Sequence, residues 1–322
     1  MLFRRQVLIA TGATAVSHFA SAQAAWPSKP IRWIVNFPPA GASDILSRTL
    51  ADHFGNRLGQ PIVVENKPGA GGMLGADIVA KGRGDAHLVM MSSAASHGIG
   101  PVLYRDVPYD PLADFTHIHL VGSFPSVLAV NASSSITSVQ QLVDQARAKP
   151  GELTYGSGGN GTMNHLTGQL LAGAANISLT HIPYRGSAPA MNDLLGGQIG
   201  ALMESLPTAI GYFTSGRMRA LAVSEEVRSP VLPDVPTFRE AGFQVVSTNW
   251  FGFSIAAGLP VEIAKRWETE IADALKSARV KEAFAKIGVR PGTLGAQAYT
   301  DLVRSELARW REVIRAGNIR AD

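Results

Sequence analysis

The most constraining feature of the sequence is a short loop between a predicted strand and a predicted helix. Residues 31–35 are bulky and β-branched, as in a buried strand, and apolar residues recur at helical spacing from Ile45 onward. Residues 36–44 connect the two, with Ser43 or Asp44 placed to cap the first turn. A helix start presents unpaired N–H groups and a positive dipole end, so the loop is typical of a carboxylate or phosphate site.

The same arrangement occurs twice more in the second half of the chain. The glycine-rich residues 156–162 separate a predicted strand at 153–155 from a helix, and residues 185–187 follow a predicted strand at 179–184. Each loop alone is compatible with an ordinary tight turn. Three loops of one kind favour ligand contact, although none is a P-loop or a good dinucleotide fingerprint.

The order of the predicted elements indicates an α/β protein with a mostly parallel sheet. The extended run at 127–130 is a candidate for a crossing into a second domain, and residues 250–255 are a candidate for the return. We therefore expect two lobes, residues 26–124 plus 254–322 and residues 125–253, joined by two crossover strands that form a hinge. Such a geometry suits a clamp that closes on a ligand.

The N-terminus is predicted to be an export signal at residues 1–24. Arg4 and Arg5 precede a mostly apolar run, and a small-residue cleavage site follows at 22–24. The paired arginines resemble a twin-arginine signal, and Sec export is the alternative. The chain has no cysteine for lipid attachment, so we expect a free periplasmic protein.

Charge and motif content exclude several classes of function. The net charge is +4, and two of the positive charges lie in the predicted signal. The other basic residues are scattered rather than clustered, which argues against nucleic-acid binding. The chain has no Gly-x-Ser-x-Gly elbow, no Ser-x-x-Lys and no cysteine nucleophile. A secreted hydrolase using Ser157 or Thr162 with His165 is a remote alternative, and the histidines lack metal-ligand spacing.

Several polar residues at strand and helix ends are further candidates for ligand contact. Ser92 and Ser93 follow a predicted strand at 88–91, and Asp44 lies at a helix start where capping is the equal alternative. Glu204 follows an apolar strand pattern, at the sheet edge where α/β proteins form ligand clefts. We expect Glu204 to contact a polar or amino group of the ligand, the alternative being a solvated strand end.

A series of motifs in order resembles the Bug-type periplasmic solute receptors of the tripartite tricarboxylate transporter system. The resemblance covers nearly all of the sequence after the predicted signal. Its motifs are residues 29–32, 37–44, 59–72, 103–104, 108–111, 181–186, 193–198, 219–223, 232–237 and 240–242.

The resemblance implies a type II periplasmic binding protein fold and a non-enzymatic receptor without a cofactor. Its ligand would be a small dicarboxylate, tricarboxylate, amino acid or aromatic acid, delivered by a monomer to a membrane permease. The same fold could instead serve as a ligand-loaded sensor of a membrane kinase. The predicted ligand-binding residues are Phe37, Pro39, Ala40, Gly41, Ala42, Ser43, Asp44, Ser92, Ser93, Ser157, Gly158, Gly159, Thr162, Arg185, Gly186, Ser187 and Glu204.

The sequence departs from the family pattern at three places. Ala40 stands where relatives commonly have glycine, and its methyl group could restrict the approach of the loop backbone to a ligand. Glu204 stands where many relatives have aspartate, and residues 84–86 replace a Pro-Asp-Gly turn. These departures weaken any transfer of ligand identity from relatives.

Overall fold

Strands and helices alternate along the first part of the computed structural model, which describes residues 26–320. The predicted signal peptide, residues 1–24, lies outside the described residues. A 3₁₀ turn at Ala70–Gly72 and a π-helical turn at Ala94–Ile99 precede two of the helices. The first elements are β1 (Ile31–Val35), α1 (Ala42–Leu58), β2 (Ile62–Asn66), α2 (Met73–Lys81), β3 (Leu88–Ser93) and α3 (Gly100–Leu103).

The remaining elements continue the alternation and then add helices at the C-terminal end. The middle elements are β4 (Phe115–Asn131), α4 (Val139–Ala148), β5 (Thr154–Ser157), α5 (Met163–Ala175), β6 (Thr180–Pro183), α6 (Ser187–Leu195), β7 (Ala201–Ser205), α7 (Leu206–Thr214) and β8 (Met218–Val223). The last elements are β9 (Thr248–Ala256), α8 (Val261–Lys276), α9 (Ala278–Lys286), β10 (Arg290–Pro291) and α10 (Ala296–Ala316).

The strands form one continuous set of ladders in the order β2-β1-β3-β9-β4-β7-β5-β6, with β8 and β10 also paired to β4. The outer strands pair in parallel, namely β1 with β2 and β3, and β5 with β6 and β7. Antiparallel pairs occur only around β4 and β9 within the described residues. The sheet is therefore mostly parallel in each half, with an antiparallel centre.

β4 passes through both halves of the sheet. Its residues 115–125 pair with β9, and residues 126–131 pair with β7 and β8. This strand contains the run at 127–130 that we predicted to cross between domains, and β9 contains the predicted return. The arrangement is two-lobed α/β, as the sequence indicates. The exact boundaries, 26–124 plus 254–322 and 125–253, stay a prediction.

The core of the first lobe is a cluster of fully buried aromatic rings. Trp33 on β1, Phe54 on α1, Phe253 on β9 and Trp267 on α8 are each 0% exposed. Ring centroids lie 5.1 Å apart for Trp33 and Phe253, and 5.4 Å apart for Phe54 and Trp267. Buried aromatic rings contribute much of the stabilising free energy of a core. This cluster therefore fixes α1 and its preceding loop on the sheet.

The start of α1 differs from the prediction in one respect. The helix begins at Ala42, and Gly41 is its N-cap residue in an extended conformation. The prediction that Ser43 or Asp44 caps the helix is wrong, because both residues lie inside the first turn and no side chain caps this end. The first N–H groups of α1 are therefore left without a side-chain acceptor.

Among residues 26–320, no helix is both long and apolar enough to cross a membrane.

We expect Phe54→Ala to lower the free energy of unfolding by about 3–5 kcal/mol, because it removes a fully buried ring and leaves a cavity. Urea denaturation followed by circular dichroism measures this loss. Val227→Ala is the control, since Val227 is 64% exposed and should change stability by less than about 0.5 kcal/mol. Equal, small effects of both changes would contradict the assignment of this core.

Candidate functional site

A cavity of about 90 Å³ lies between the two lobes. It has room for several waters or for one small organic molecule. First-lobe segments supply one wall and second-lobe segments the other. Its lining residues are Phe37, Pro38, Pro39, Gly41, Ala42, Ser43, Ser93, Ala94, Ala95, Gly158, Thr162, Met163, Asn164, Arg185, Gly186, Ser187, Ala188, Pro189, Glu204, Ser205, Asn249, Trp250 and Phe251.

Five helical N-termini meet at this cavity. They are the starts of α1, of the π-helical turn, of α5, of α6 and of α7. Ser93 and Thr162 cap two of them with their side chains, whereas the N-caps of α1, α6 and α7 form no side-chain cap. Unpaired N–H groups and positive dipole ends of several helices therefore point to one space, which suits an anion.

The first loop is held in place from outside the cavity. Asp44 Oδ2 accepts a hydrogen bond from the Ala40 N–H group at 3.1 Å, and Asn66 Nδ2 donates to the Phe37 carbonyl at 3.0 Å. Burial raises the pKa of Asp44, but hydrogen bonds from Arg48, Ala40 and Asn66 outweigh burial and lower it. Asp44 thus remains ionised and fixes the loop, while its own carboxylate lies outside the cavity wall.

Ala40 lies at the outer side of this loop. It is exposed, has φ of +62° and is not part of the cavity lining. A left-handed conformation is uncommon for alanine and costs about 1 kcal/mol or more, whereas glycine adopts it freely. The Ala40 departure from the family pattern therefore strains the loop backbone, and its methyl group does not occupy the cavity.

The second-lobe wall contains a buried chain of polar groups. Asn249 Nδ2 donates to Ser126 Oγ at 2.9 Å, and Ser126 Oγ donates to Asn164 Oδ1 at 2.7 Å. Asn164 Nδ2 in turn lies 3.3 Å from Glu204 Oε1. This network links β9, β4, α5 and β7, so it orients Asn164 and Glu204 at the cavity.

Glu204 is fully buried at the end of β7, with 0% of its surface exposed. The alternative of a solvated strand end does not describe it. Burial raises its pKa to about 7, although hydrogen bonds from Ser205 and Ser187 lower the pKa in part. Arg185, the other charged residue on the cavity wall, is exposed and forms no ion pair with any residue from 26 to 320.

Twelve of the predicted ligand-binding residues line the cavity. They are Phe37, Pro39, Gly41, Ala42, Ser43, Ser93, Gly158, Thr162, Arg185, Gly186, Ser187 and Glu204. The other five lie elsewhere: Ala40 in the outer loop, Asp44 in the first turn of α1, Ser92 and Ser157 beneath the wall, and Gly159 in an adjoining cleft. Ser92 Oγ is bonded to Ser254 and Tyr299, each at 2.7 Å, which explains its burial behind the wall.

Sequence reasoning missed several lining residues. Asn164 lies two residues inside α5, and Asn249, Trp250 and Phe251 belong to β9, which we interpreted only as a crossing strand. The hinge role of β9 was the only signal for its three residues, because a strand that joins two lobes must pass the floor of their cleft. Pro38 is the remaining omission in the first loop, where the neighbouring residues were all predicted.

The arrangement around Ser157 does not support a hydrolase. Ser157 Oγ is 2.7 Å from Nε2 of His181, and His165 instead accepts at Nδ1 from the Gly161 N–H group at 3.3 Å. The two imidazoles stack with centroids 4.2 Å apart. Among residues 26–320, no carboxylate bonds to either histidine, so the third member of a triad is missing.

The contacts that join the lobes across the cleft include a hydrogen bond and a close backbone approach. The Tyr104 hydroxyl donates to the Asn160 carbonyl at 3.2 Å. The Gly186 backbone approaches the Pro38 ring so closely that a Cβ on Gly186 would lie 2.8 Å from Pro38 Cγ. The structure therefore shows the lobes closed around the cavity. A wider cleft of about 590 Å³ adjoins it at Phe37, Pro38, Gly158, Arg185 and Gly186.

The closed lobes, two crossover strands and anion-suited cavity define a two-lobed solute-binding protein. Residues 46–319 match the TctC family, described as the tripartite tricarboxylate transporter family receptor. The chain belongs to this family. The Bug-type resemblance seen in the sequence is confirmed, as is the periplasmic binding protein fold. The chain is a solute receptor and not an enzyme.

Relatives match along nearly their whole length. The chain is 38% identical over 317 residues to the UPF0065 protein from the tcbD–tcbE intergenic region of a Pseudomonas species, covering 97% of this chain and 94% of the relative. It is 36% identical to BugT of Bordetella pertussis, covering 90% of each chain.

Solved structures agree in fold. An adipate-bound protein of R. palustris is 32% identical with a TM-score of 0.89, covering 92% of this chain and 99% of the other. MatC from Rhodopseudomonas palustris, with bound malate, is 26% identical with a TM-score of 0.85, covering 90% and 100%.

We expect the stacked histidines to make stability depend on pH. Burial lowers the pKa of His165 to about 4 and, with the neighbouring His165, lowers that of His181 to about 3. The unfolded chain takes up these protons below pH of about 6.5 while the folded protein does not, so stability falls as pH drops from about 6.5 towards 4.

Urea denaturation at pH 7.5 and pH 5 measures this dependence. Each histidine contributes at most about 1.4 kcal/mol per pH unit, and the partly exposed His181 contributes less. The double change His165→Gln and His181→Gln should flatten the dependence relative to the unmodified protein. An unchanged slope in the double variant would show that these imidazoles are not held neutral by the fold.

Proposed function

We propose that this receptor binds a small carboxylate in the cavity between its lobes and delivers it to a membrane permease. The observation that carries this proposal is the meeting of five helical N-termini at one cavity, three of them without a side-chain cap. The family and its adipate- and malate-bound structural neighbours support the same class of ligand.

In this proposal the first loop anchors the carboxylate. The N–H groups of Ala42 and Ser43 begin α1 and have no acceptor within the helix. Both residues are buried and line the cavity. Hydrogen bonds from N–H groups to an ionised carboxylate are worth about 1.5–3 kcal/mol each, and waters can bridge the longer distances.

The second lobe completes the site when the cleft closes. The starts of α5 and α6 and the exposed Arg185 face the cavity from this side. A ligand that contacts both lobes stabilises the closed state by its differential affinity for it. The closed form is then the state that a permease recognises. Export by the segment at residues 1–24 would place the receptor in the periplasm.

A thermal-shift screen of residues 25–322 against small carboxylates tests this function. A ligand at about 100 times its dissociation constant adds about 2.7 kcal/mol to stability. Any co-purified ligand is first removed by unfolding and refolding. A shift with carboxylates and none with matched amides or alcohols is expected. Failure of every carboxylate to stabilise the protein would count against the proposal.

Gly41→Val is expected to weaken carboxylate binding at least tenfold, because a branched side chain at the N-cap crowds the N–H groups of the first loop. Isothermal titration calorimetry with a carboxylate found in the screen measures the change. Gly55→Val is the matched control, since it places the same side chain in α1, outside the cavity lining. Equal affinities for both variants would remove the first loop as the anchor.

Gly186→Ala is expected to weaken binding about tenfold or more by obstructing closure. Gly186 has φ of +109°, and a Cβ there would lie 2.8 Å from Pro38 Cγ in the other lobe. Gly197→Ala is the control, because Gly197 has φ of +73° with no atom within 4 Å of an added Cβ. Both changes strain the backbone, but only the first contacts the other lobe. Small-angle scattering with saturating ligand should show a larger radius of gyration only for Gly186→Ala.

A further inference from the structure

Glu204 differs from an ordinary buried carboxylate in how its two oxygens are bonded. Oε1 accepts hydrogen bonds from the Ser205 N–H group at 2.7 Å, from Ser187 Oγ at 3.0 Å and from Asn164 Nδ2 at 3.3 Å. Oε2 is equally buried and has no hydrogen-bond partner within residues 26–320. All three donors and Glu204 itself line the cavity. One oxygen is thus fully supported, and the other lacks a donor.

Each of the other buried glutamates in the described part of the chain forms an ion pair with at least one arginine. Glu225 pairs with Arg290, Glu270 with Arg57 and Arg266, and Glu306 with Arg309. Glu204 forms no ion pair within residues 26–320. A buried carboxylate without a cation or a full set of donors is strongly unfavourable. Glu204 lies at the wall of a ligand cavity and lacks a cationic donor. A ligand that carries a cationic group would provide that donor.

Building on the carboxylate site proposed above, we propose that the ligand also carries a protonated amino group, which binds Glu204 Oε2. The receptor then selects amino-carboxylates over dicarboxylates. The ligand's carboxylate meets the N–H groups of the first loop, and its ammonium group neutralises the buried glutamate. A second carboxylate of the ligand at the same place would instead lie next to the negative charge of Glu204. Glu204 is the residue that determines this specificity.

Pairs of ligands that differ by a single amino group test the proposal. The pairs are L-alanine and propanoate, L-aspartate and succinate, L-glutamate and glutarate, and L-phenylalanine and 3-phenylpropanoate. Calorimetry with the refolded protein is expected to show at least one amino member binding tenfold or more tightly than its partner. Equal affinities within the pairs, or a preference for the members without nitrogen, overturn the amino-group proposal and leave the carboxylate function standing. No binding by any member counts against the carboxylate function, and the amino-group proposal fails with it.

Glu204→Gln assigns the preference to this residue. The change keeps the shape of the side chain and removes its charge, so the preferred amino-carboxylate should lose at least tenfold in affinity while its partner loses none. Glu270→Gln is the matched control, because Glu270 is equally buried but lies on α8, outside the cavity lining. It should leave both affinities unchanged. A Glu204→Gln protein that folds and keeps the same ratio of affinities would refute the role of Glu204.

The pH dependence of binding provides a second readout. Because burial raises the pKa of Glu204 to about 7, binding of an ammonium group to the ionised form should strengthen by about tenfold from pH 6 to pH 8. A dicarboxylate should show the opposite slope, since it favours the protonated form, and Glu204→Gln should show neither.

Other titratable groups near β7 do not account for such a slope. Among residues 26–320, none of them forms a hydrogen bond or ion pair with Glu204, and the other charged group on the cavity wall is Arg185. His165 has a pKa of about 4 and stays neutral in this range. The groups on elements that contact β7 are Tyr155, His165, Asp193 and Tyr212, with His117 and His119 on the far part of β4.

Discussion

Unpaired N–H groups at the helix starts are the constraint on which the site depends. A buried N–H group without an acceptor is unfavourable, and most helices satisfy theirs with a side-chain cap. Here α1 and α6 begin with glycine N-caps that offer no side-chain oxygen. The cavity therefore contains donors that only a ligand or water can satisfy. In the proposed function, affinity for an anion follows from leaving these backbone groups open rather than from a cluster of basic side chains.

The central antiparallel strands explain how such donors come from two lobes. β4 pairs with β9 at one end and with β7 and β8 at the other, so one strand belongs to both halves of the sheet. The parallel strands on either side end towards the cleft, where their following helices begin. The buried network from Asn249 through Ser126 to Asn164 crosses the same region. The hinge and the cavity floor are thus built from the same strands.

The fold and much of the site could be predicted from local sequence patterns. The strand at 31–35, the loop before α1 and the glycine-rich loop of the second lobe are local signals; the two loops border the cavity in the structure, and the strand leads into the first of them. The roles of Asn164 and Trp250 depend on how distant elements meet, which local spacing does not record. Glu204 was a candidate by position, but its burial and its unpartnered oxygen follow from tertiary contacts alone.

The contact between Tyr104 and the Asn160 carbonyl lies outside the cavity wall. It joins the lobes through a hydroxyl and a backbone oxygen, and neither residue lines the cavity. This contact between the lobes therefore does not involve the side chains that line the cavity. Under the proposed function, substitutions inside the cavity change the bound solute while leaving this contact between the lobes in place.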